Sequence, residues 1–251
     1  MKKKLLSLFI ALVAILSISF TFTACDKDSK GKMTEEEWIE ALNNSYSATN
    51  HSTHSSTTEN GETVTVKDWA IDYPNSVIYI NQSLYLPNGT VFQSTECYFE
   101  RNGKTFKTFG NENNIWYLGE IEFTSEEEAE SYFLMFGIAE LGEYTFGGTG
   151  EHEGQEASLV EMYDWFNYDA EKDIYTAQIS SIGLDSFLQR STVSEKVDEG
   201  IVTLKFVGGK LVYFAQEYTQ EGSTYTEIYE IEYGTVVTIP EEVRNNAQER
   251  E

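Results

Sequence analysis

Basic side chains are scarce in this sequence: 17 Lys and Arg stand against 42 Asp and Glu across 251 residues, for a formal net charge of −25. A surface that acidic repels phosphate backbones and excludes nucleic acid as a partner. Cysteine is rarer still. With only Cys25 and Cys97, a disulfide framework and a cysteine-rich zinc site are both excluded. Proline occurs three times and never in a Pro/Ser-rich linker, so residues 33–251 read as a single domain. The spacings G-x-S-x-G, C-x-x-C and H-E-x-x-H do not occur. The expectation is a non-enzyme with no catalytic residues, no metal and no cofactor.

One long apolar run is present. Lys2, Lys3 and Lys4 precede the uncharged stretch from Leu5 to Phe20, and the small residues Thr23 and Ala24 lead into Cys25. That is the layout of a secretory signal; a spanning helix needs about 20 apolar residues with anchoring flanks. Phe22-Thr23-Ala24-Cys25 resembles the lipobox of bacterial lipoproteins, departing from it at Phe22, where an aliphatic residue is usual. The resemblance implies that residues 1–24 are a signal peptide, that the Cys25 thiol carries a diacylglyceryl group, and that residues 25–32 are a flexible tether. Two acyl chains anchor a protein where one binds only marginally, so the membrane is the expected partner through Cys25, on the extracytoplasmic face of a bacterial cell. Removing Lys2 to Lys4 takes the formal charge from −25 to −28, which keeps the domain solvated above an anionic bilayer. Cys97 alternates with Val91 and Phe99, which predicts a buried, inert thiol on an apolar strand face.

Beyond the tether, paired turn residues predict antiparallel hairpins at Asn88-Gly89, Asn102-Gly103 and Gly208-Gly209. In STYTEIYEIEYG, Tyr225, Tyr229, Ile231 and Tyr233 share one face while Thr224, Thr226, Glu230 and Glu232 share the other, the pattern of a sheet with one wet side. Three helical segments are available to cover the dry side. Thr34 and Glu37 form a capping box ahead of the stripe Trp38, Ala41 and Leu42; Ser125 and Glu128 form another ahead of Ala129, Tyr132, Phe133 and Phe136, with Gly142 as a stop. SLVEMYDWFNYD places Leu159, Tyr163 and Phe166 at helical spacing. The predicted class is α+β: a curved antiparallel sheet with an N-terminal helix and a central helical insertion covering one face.

MTEEEWIEAL behind a lipid anchor, with YEIEYGTVVTIPEEV near the end, resembles uncharacterised bacterial lipoproteins of the LolA and LppX half-barrel type. That resemblance implies an unclosed barrel holding a hydrophobic or amphiphilic ligand, such as an acyl chain, beneath lid helices. Its cavity would be lined by Trp38, Tyr132, Phe133, Phe136, Tyr225, Tyr229 and Tyr233 in a monomeric protein. The 16 Tyr, 15 Phe and 4 Trp suit a filled core equally well, and the alternative is an interaction or structural lipoprotein with no small ligand.

Other chemistry is weaker. DKDSKGKMTEEE approaches a calcium loop at Asp26, Asp28, Gly31 and Glu37, but Lys30 occupies a ligand position. His51 and His54 point to opposite faces if their segment is a strand, and His152 sits in an acidic, glycine-rich loop, GGTGEHEG, that would repel phosphate. Glu151, Glu161, Asp164 and Asp169 near aromatic residues keep a carboxylate-dependent glycoside hydrolase open as a further alternative.

Overall fold

A computed structural model describes residues 31–134, 159–178 and 199–249. The signal segment, Cys25, residues 26–30, Phe136, Gly142 and the loop containing His152 lie outside the described residues. Lys32–Glu251 form one compact unit.

The chain opens with helix α1 (Glu35–Tyr46), and its capping box forms as the spacing predicts. Thr34 Oγ1 accepts the Glu37 N–H at 3.2 Å, and the Glu37 carboxylate accepts the Thr34 N–H at 2.7 Å. Trp38, Ala41, Leu42 and Ser45 make its buried stripe. A meander of six strands follows: β1 (Asn50–Glu59), β2 (Glu62–Asp72), β3 (Val77–Tyr85), β4 (Val91–Asn102), β5 (Thr105–Glu112) and β6 (Ile115–Glu122). Helix α2 spans 126–134 of the described residues. Ser125 Oγ accepts the Glu128 N–H, but the Glu128 carboxylate accepts the N–H of Thr124, one residue before the expected donor. SLVEMYDWFNYD departs from the expected helix. It forms a 3-10 helix (Leu159–Trp165) and then strand β7 (Asn167–Asp169). The chain finishes with β8 (Ile174–Gln178), β9 (Glu199–Val207), β10 (Lys210–Gln220), β11 (Ser223–Tyr233), helix α3 (Glu241–Asn246) and the two-residue β12 (Gln248–Glu249).

Among the described residues, twelve strands form one open sheet, in the order β12-β6-β5-β4-β3-β2-β1-β11-β10-β9-β8-β7, and every pairing is antiparallel except β12 with β6. The two meanders meet where β1 pairs with β11, from His51 opposite Tyr233 to Glu59 opposite Tyr225. This curved, unclosed sheet with helices is consistent with an α+β half-barrel. Gly208 and Gly209 turn the β9–β10 hairpin at φ +58° and +70°, the left-handed pair that a tight primed turn requires. Three further hairpins use Asn60-Gly61, Asn113-Asn114 and Glu221-Gly222 in the same way.

The inner face of the sheet carries the larger core. Trp38 and Leu42 of α1, Phe133 of α2, and Leu159, Met162 and Phe166 bury against Trp69, Ile78, Phe99, Phe106, Leu204, Leu211 and Phe214. The outer face is not uniformly wet, contrary to the expectation that helices gather on one side. Its corner at β2 to β6 presents Ala70, Val77, Tyr79, Tyr98, Phe109, Trp116 and Leu118, and residues 235–247 cross it as a strap that buries Val237, Ile239 and Val243. Apolar side chains on both faces need cover on both faces, so the C-terminal helix packs opposite α1. Arg244 of α3 clamps the Glu100 carboxylate with two hydrogen bonds of 2.7 and 2.9 Å.

Candidate functional site

Along β10, β11 and β1, the inner face changes character from one end to the other. Near the β9–β10 turn it is apolar, with Phe214, Ile231, Tyr233 and the buried His51. Toward the Glu221-Gly222 turn it becomes polar: Gln216 and Tyr218 on β10 face Glu227 and Tyr225 on β11, which in turn face Thr57 and Glu59 on β1. Strand alternation places these side chains on one surface.

Two carboxylates organise that polar end. Glu227 accepts hydrogen bonds from Gln216 Nε2 at 2.6 Å, from the Tyr218 hydroxyl at 2.9 Å and from the Tyr229 hydroxyl at 3.3 Å. Glu59 accepts them from Ser223 at 2.9 Å and from Tyr225 at 3.2 Å. The Tyr218 and Tyr225 rings stack with centroids 5.4 Å apart. Burial first, and the adjacent carboxylates second, push both phenols above their ordinary range, so both remain donors at neutral pH. Among the described residues, each of these contacts is a donation from a neutral N–H or O–H group to one of the two carboxylates.

The residues expected to line an apolar cavity occupy different parts of one core. Trp38 has no exposed surface; its indole N–H donates to the Leu159 carbonyl at 2.8 Å, and its ring meets Phe206, Phe166, Tyr175 and Tyr163 at 5.1 to 5.9 Å. Phe133 is equally buried, beneath Tyr73 and Arg101. Tyr132 packs on Phe106 and Phe123. Tyr229 meets Phe214, while Tyr225 belongs to the polar end. Tyr233 donates its hydroxyl to the Leu211 carbonyl at 2.7 Å, beneath the Lys210 ammonium. Burial pushes its phenol up to about 12. Phe136 lies outside the described residues. A recess of about 240 Å³ at the β8–β11 corner has a mixed lining, with Gln178, Glu217, Thr219 and Thr224 beside Ile201 and Tyr218.

No protein-family model matches the chain, and no curated protein does. The site must therefore be read from its own chemistry. His51 and His54 fall on opposite faces, as strand alternation requires: His51 buries against Trp69 at 5.0 Å, and half-exposed His54 bonds Asp68 at 2.6 Å. Loss of solvation lowers His51 to about 4. Cys97 is buried and unpaired, and desolvation raises its thiol to about 11, which accounts for an inert side chain. Asp169 caps the turn after β7 by accepting the Glu171 and Lys172 N–H groups, and Asp164 is exposed. Glu151 and the side chain of Glu161 lie outside the described residues. Among the described residues, no helix is long and apolar enough to cross a membrane.

The sequence reading missed the Glu59, Gln216 and Glu227 constellation. Its one available signal was Glu227, an acid at an odd position among Tyr225, Tyr229 and Ile231 on the face expected to be dry.

Proposed function

We propose that this is a non-catalytic bacterial lipoprotein, anchored through Cys25 on the extracytoplasmic face of the membrane, that acts as an interaction protein through the polar end of its inner sheet face. The observation that carries the choice over an acyl-chain carrier is the state of Trp38. It sits where lid helix and sheet would part to admit a ligand, yet four rings and a hydrogen bond to Leu159 fill its surroundings. Opening there exposes a large aromatic core and strands a buried N–H. The central insertion would have to swing as the lid, and its helix α2 is tied to the sheet by a hydrogen bond from Tyr73 to Glu130 and by the buried Phe133.

The anchor and the filled core are tested separately. Cys25→Ser should release the processed protein from membranes; a processed variant that still fractionates with them would defeat the lipid anchor. Organic extraction of protein purified without detergent should yield no stoichiometric lipid, and lysolipid should leave the melting temperature unchanged. Phe133→Ala should cost the full penalty of a packed site, about 3–5 kcal/mol. Bound lipid together with a small Phe133→Ala cost would restore the carrier reading.

A further inference from the structure

We propose that Glu59, Glu227 and the side-chain oxygen of Gln216 form a binding site for an organic cation bearing primary ammonium groups. The proposal rests on the reading of the polar inner face as the working surface, and it names what that surface takes.

Glu59 lies opposite Tyr225 and Glu227 lies opposite Thr57, so the two acids are diagonal neighbours on adjacent strands of one face. Both are half-buried, and neither forms an ion pair among the described residues. Two carboxylates that are diagonal neighbours on one face repel each other when both are ionised, and a cation between them would offset that repulsion. The neighbouring hydroxyls and the Gln216 amide ease that repulsion only through neutral donors.

Gln216 supplies an independent observation. It is only 7 % exposed, and its Oε1 has no hydrogen-bond partner among the described residues. Reversing the amide would not relieve this, because Nε2 stands 2.6 Å from a Glu227 oxygen and the reversed group would set oxygen against oxygen. A buried amide oxygen without a donor, on a face with two carboxylates held only by neutral donors, calls for a group with several N–H bonds and positive charge. An alkylammonium has three donors and no acceptor. The stacked Tyr218 and Tyr225 rings add faces that attract such a cation. A divalent metal fits less well: it takes about six or more oxygen ligands, and no three acidic, histidine or cysteine side chains among the described residues are grouped to hold one. The diagonal spacing of the two acids, roughly 7–8 Å in an antiparallel pair, is a span that a short diammonium chain can bridge.

The test is calorimetric titration of the full chain, in detergent at neutral pH and low salt, with 1,4-diaminobutane. Saturable binding is expected, weakened about tenfold or more by Glu227→Gln, by Glu59→Gln and by Gln216→Met, because each removes an acceptor from a charged donor. Glu217→Gln, on the opposite face of β10, should bind as the parent does. Equal weakening by Glu217→Gln, heat that sodium chloride of the same ionic strength abolishes in parent and variants alike, or no binding at all would overturn the site. None of those outcomes yields bound lipid, so failure here is distinct from failure of the interaction-protein reading. If Glu227→Gln does not fold, Gln216→Met carries the same comparison without changing charge.

Discussion

The Asp72 carboxylate accepts the backbone N–H of Val237 at 3.1 Å, tying the end of β2 to the strap that crosses the outer face. Asp72 is 1 % exposed, and its remaining contacts go to the backbone N–H and side-chain amide of Asn75, so one carboxylate holds both the β2–β3 turn and the strap. Replacing it with Ala leaves the buried Val237 N–H unpaired and removes the acceptor that holds the Asn75 turn. Urea denaturation of Asp72→Ala should show a loss of about 3 kcal/mol, with the strap more accessible to protease than in the parent. A loss below about 0.5 kcal/mol would mean the strap is held by Val237, Ile239 and Val243 alone.

His51 gives the stability a pH dependence of known sign. Its folded-state value of about 4 lies below the ordinary 6.5, so the unfolded chain binds the extra proton between those values. The stability due to neutral His51 is fully present above pH 6.5 and is lost as pH falls toward 4. His51→Phe removes that titration. The stability difference between parent and variant should be flat above pH 7 and move against the parent by about 2 kcal/mol at pH 5. A difference independent of pH would show that His51 is not desolvated in the native state.

At the start of β10, the register shifts between Leu211 and Tyr213, passing over Val212, and both backbone groups of Leu211 take side-chain partners. The Leu211 N–H donates to Ser45 Oγ at 2.8 Å, and its carbonyl accepts the Tyr233 hydroxyl. Ser45→Ala and Tyr233→Phe should each cost about 1–2 kcal/mol in urea melts, and the double variant should lose less than their sum. Strict additivity would show that the two bonds act independently.

Where the compact domain begins can also be located. The Met33 N–H donates to the Tyr175 hydroxyl and the Met33 carbonyl accepts the Tyr163 hydroxyl, both at 2.6 Å, while the Lys32 ammonium sits 4.5 Å from the Tyr163 ring centroid. A chain beginning at Lys32 should melt like the full chain. One beginning at Glu35 loses these bonds and the Thr34 cap, and should be destabilised by about 2–4 kcal/mol. Equal melting temperatures would place the true boundary after Thr34.

How much of this was legible in the sequence depended on whether a feature is local. The capping box of α1 needs only Thr34 and Glu37, and the Gly208-Gly209 turn needs only its own dipeptide, so both could be read directly. Glu221-Gly222 and Asn113-Asn114 turn with the same left-handed geometry, but Glu and Asn reach it less freely than Gly and gave weaker signals. The strap escaped notice because Val237, Ile239 and Val243 are too few to make a period, and their partners on β2 to β6 are more than a hundred residues away in sequence. Gln216 and Glu227 read as ordinary strand residues, because only the pairing of β10 with β11 brings an unpartnered amide against an acid.

The pairing of β1 with β11 also sets an order of events for a chain that is synthesised N-terminus first. β1 is the first strand out, and on one side it pairs with β2 at once. Its other edge, from His51 to Glu59, waits for β11, which is made only after every other strand but β12. Closing so long a loop is slow compared with forming the local hairpins on either side of it. Throughout that interval the nascent protein carries an open strand edge, Asn50–Glu59, rich in Ser and Thr and poor in large apolar side chains. A sequence of that kind makes the waiting edge a poor template for pairing with a neighbouring copy, so the composition of β1 protects the half-made molecule until β11 arrives.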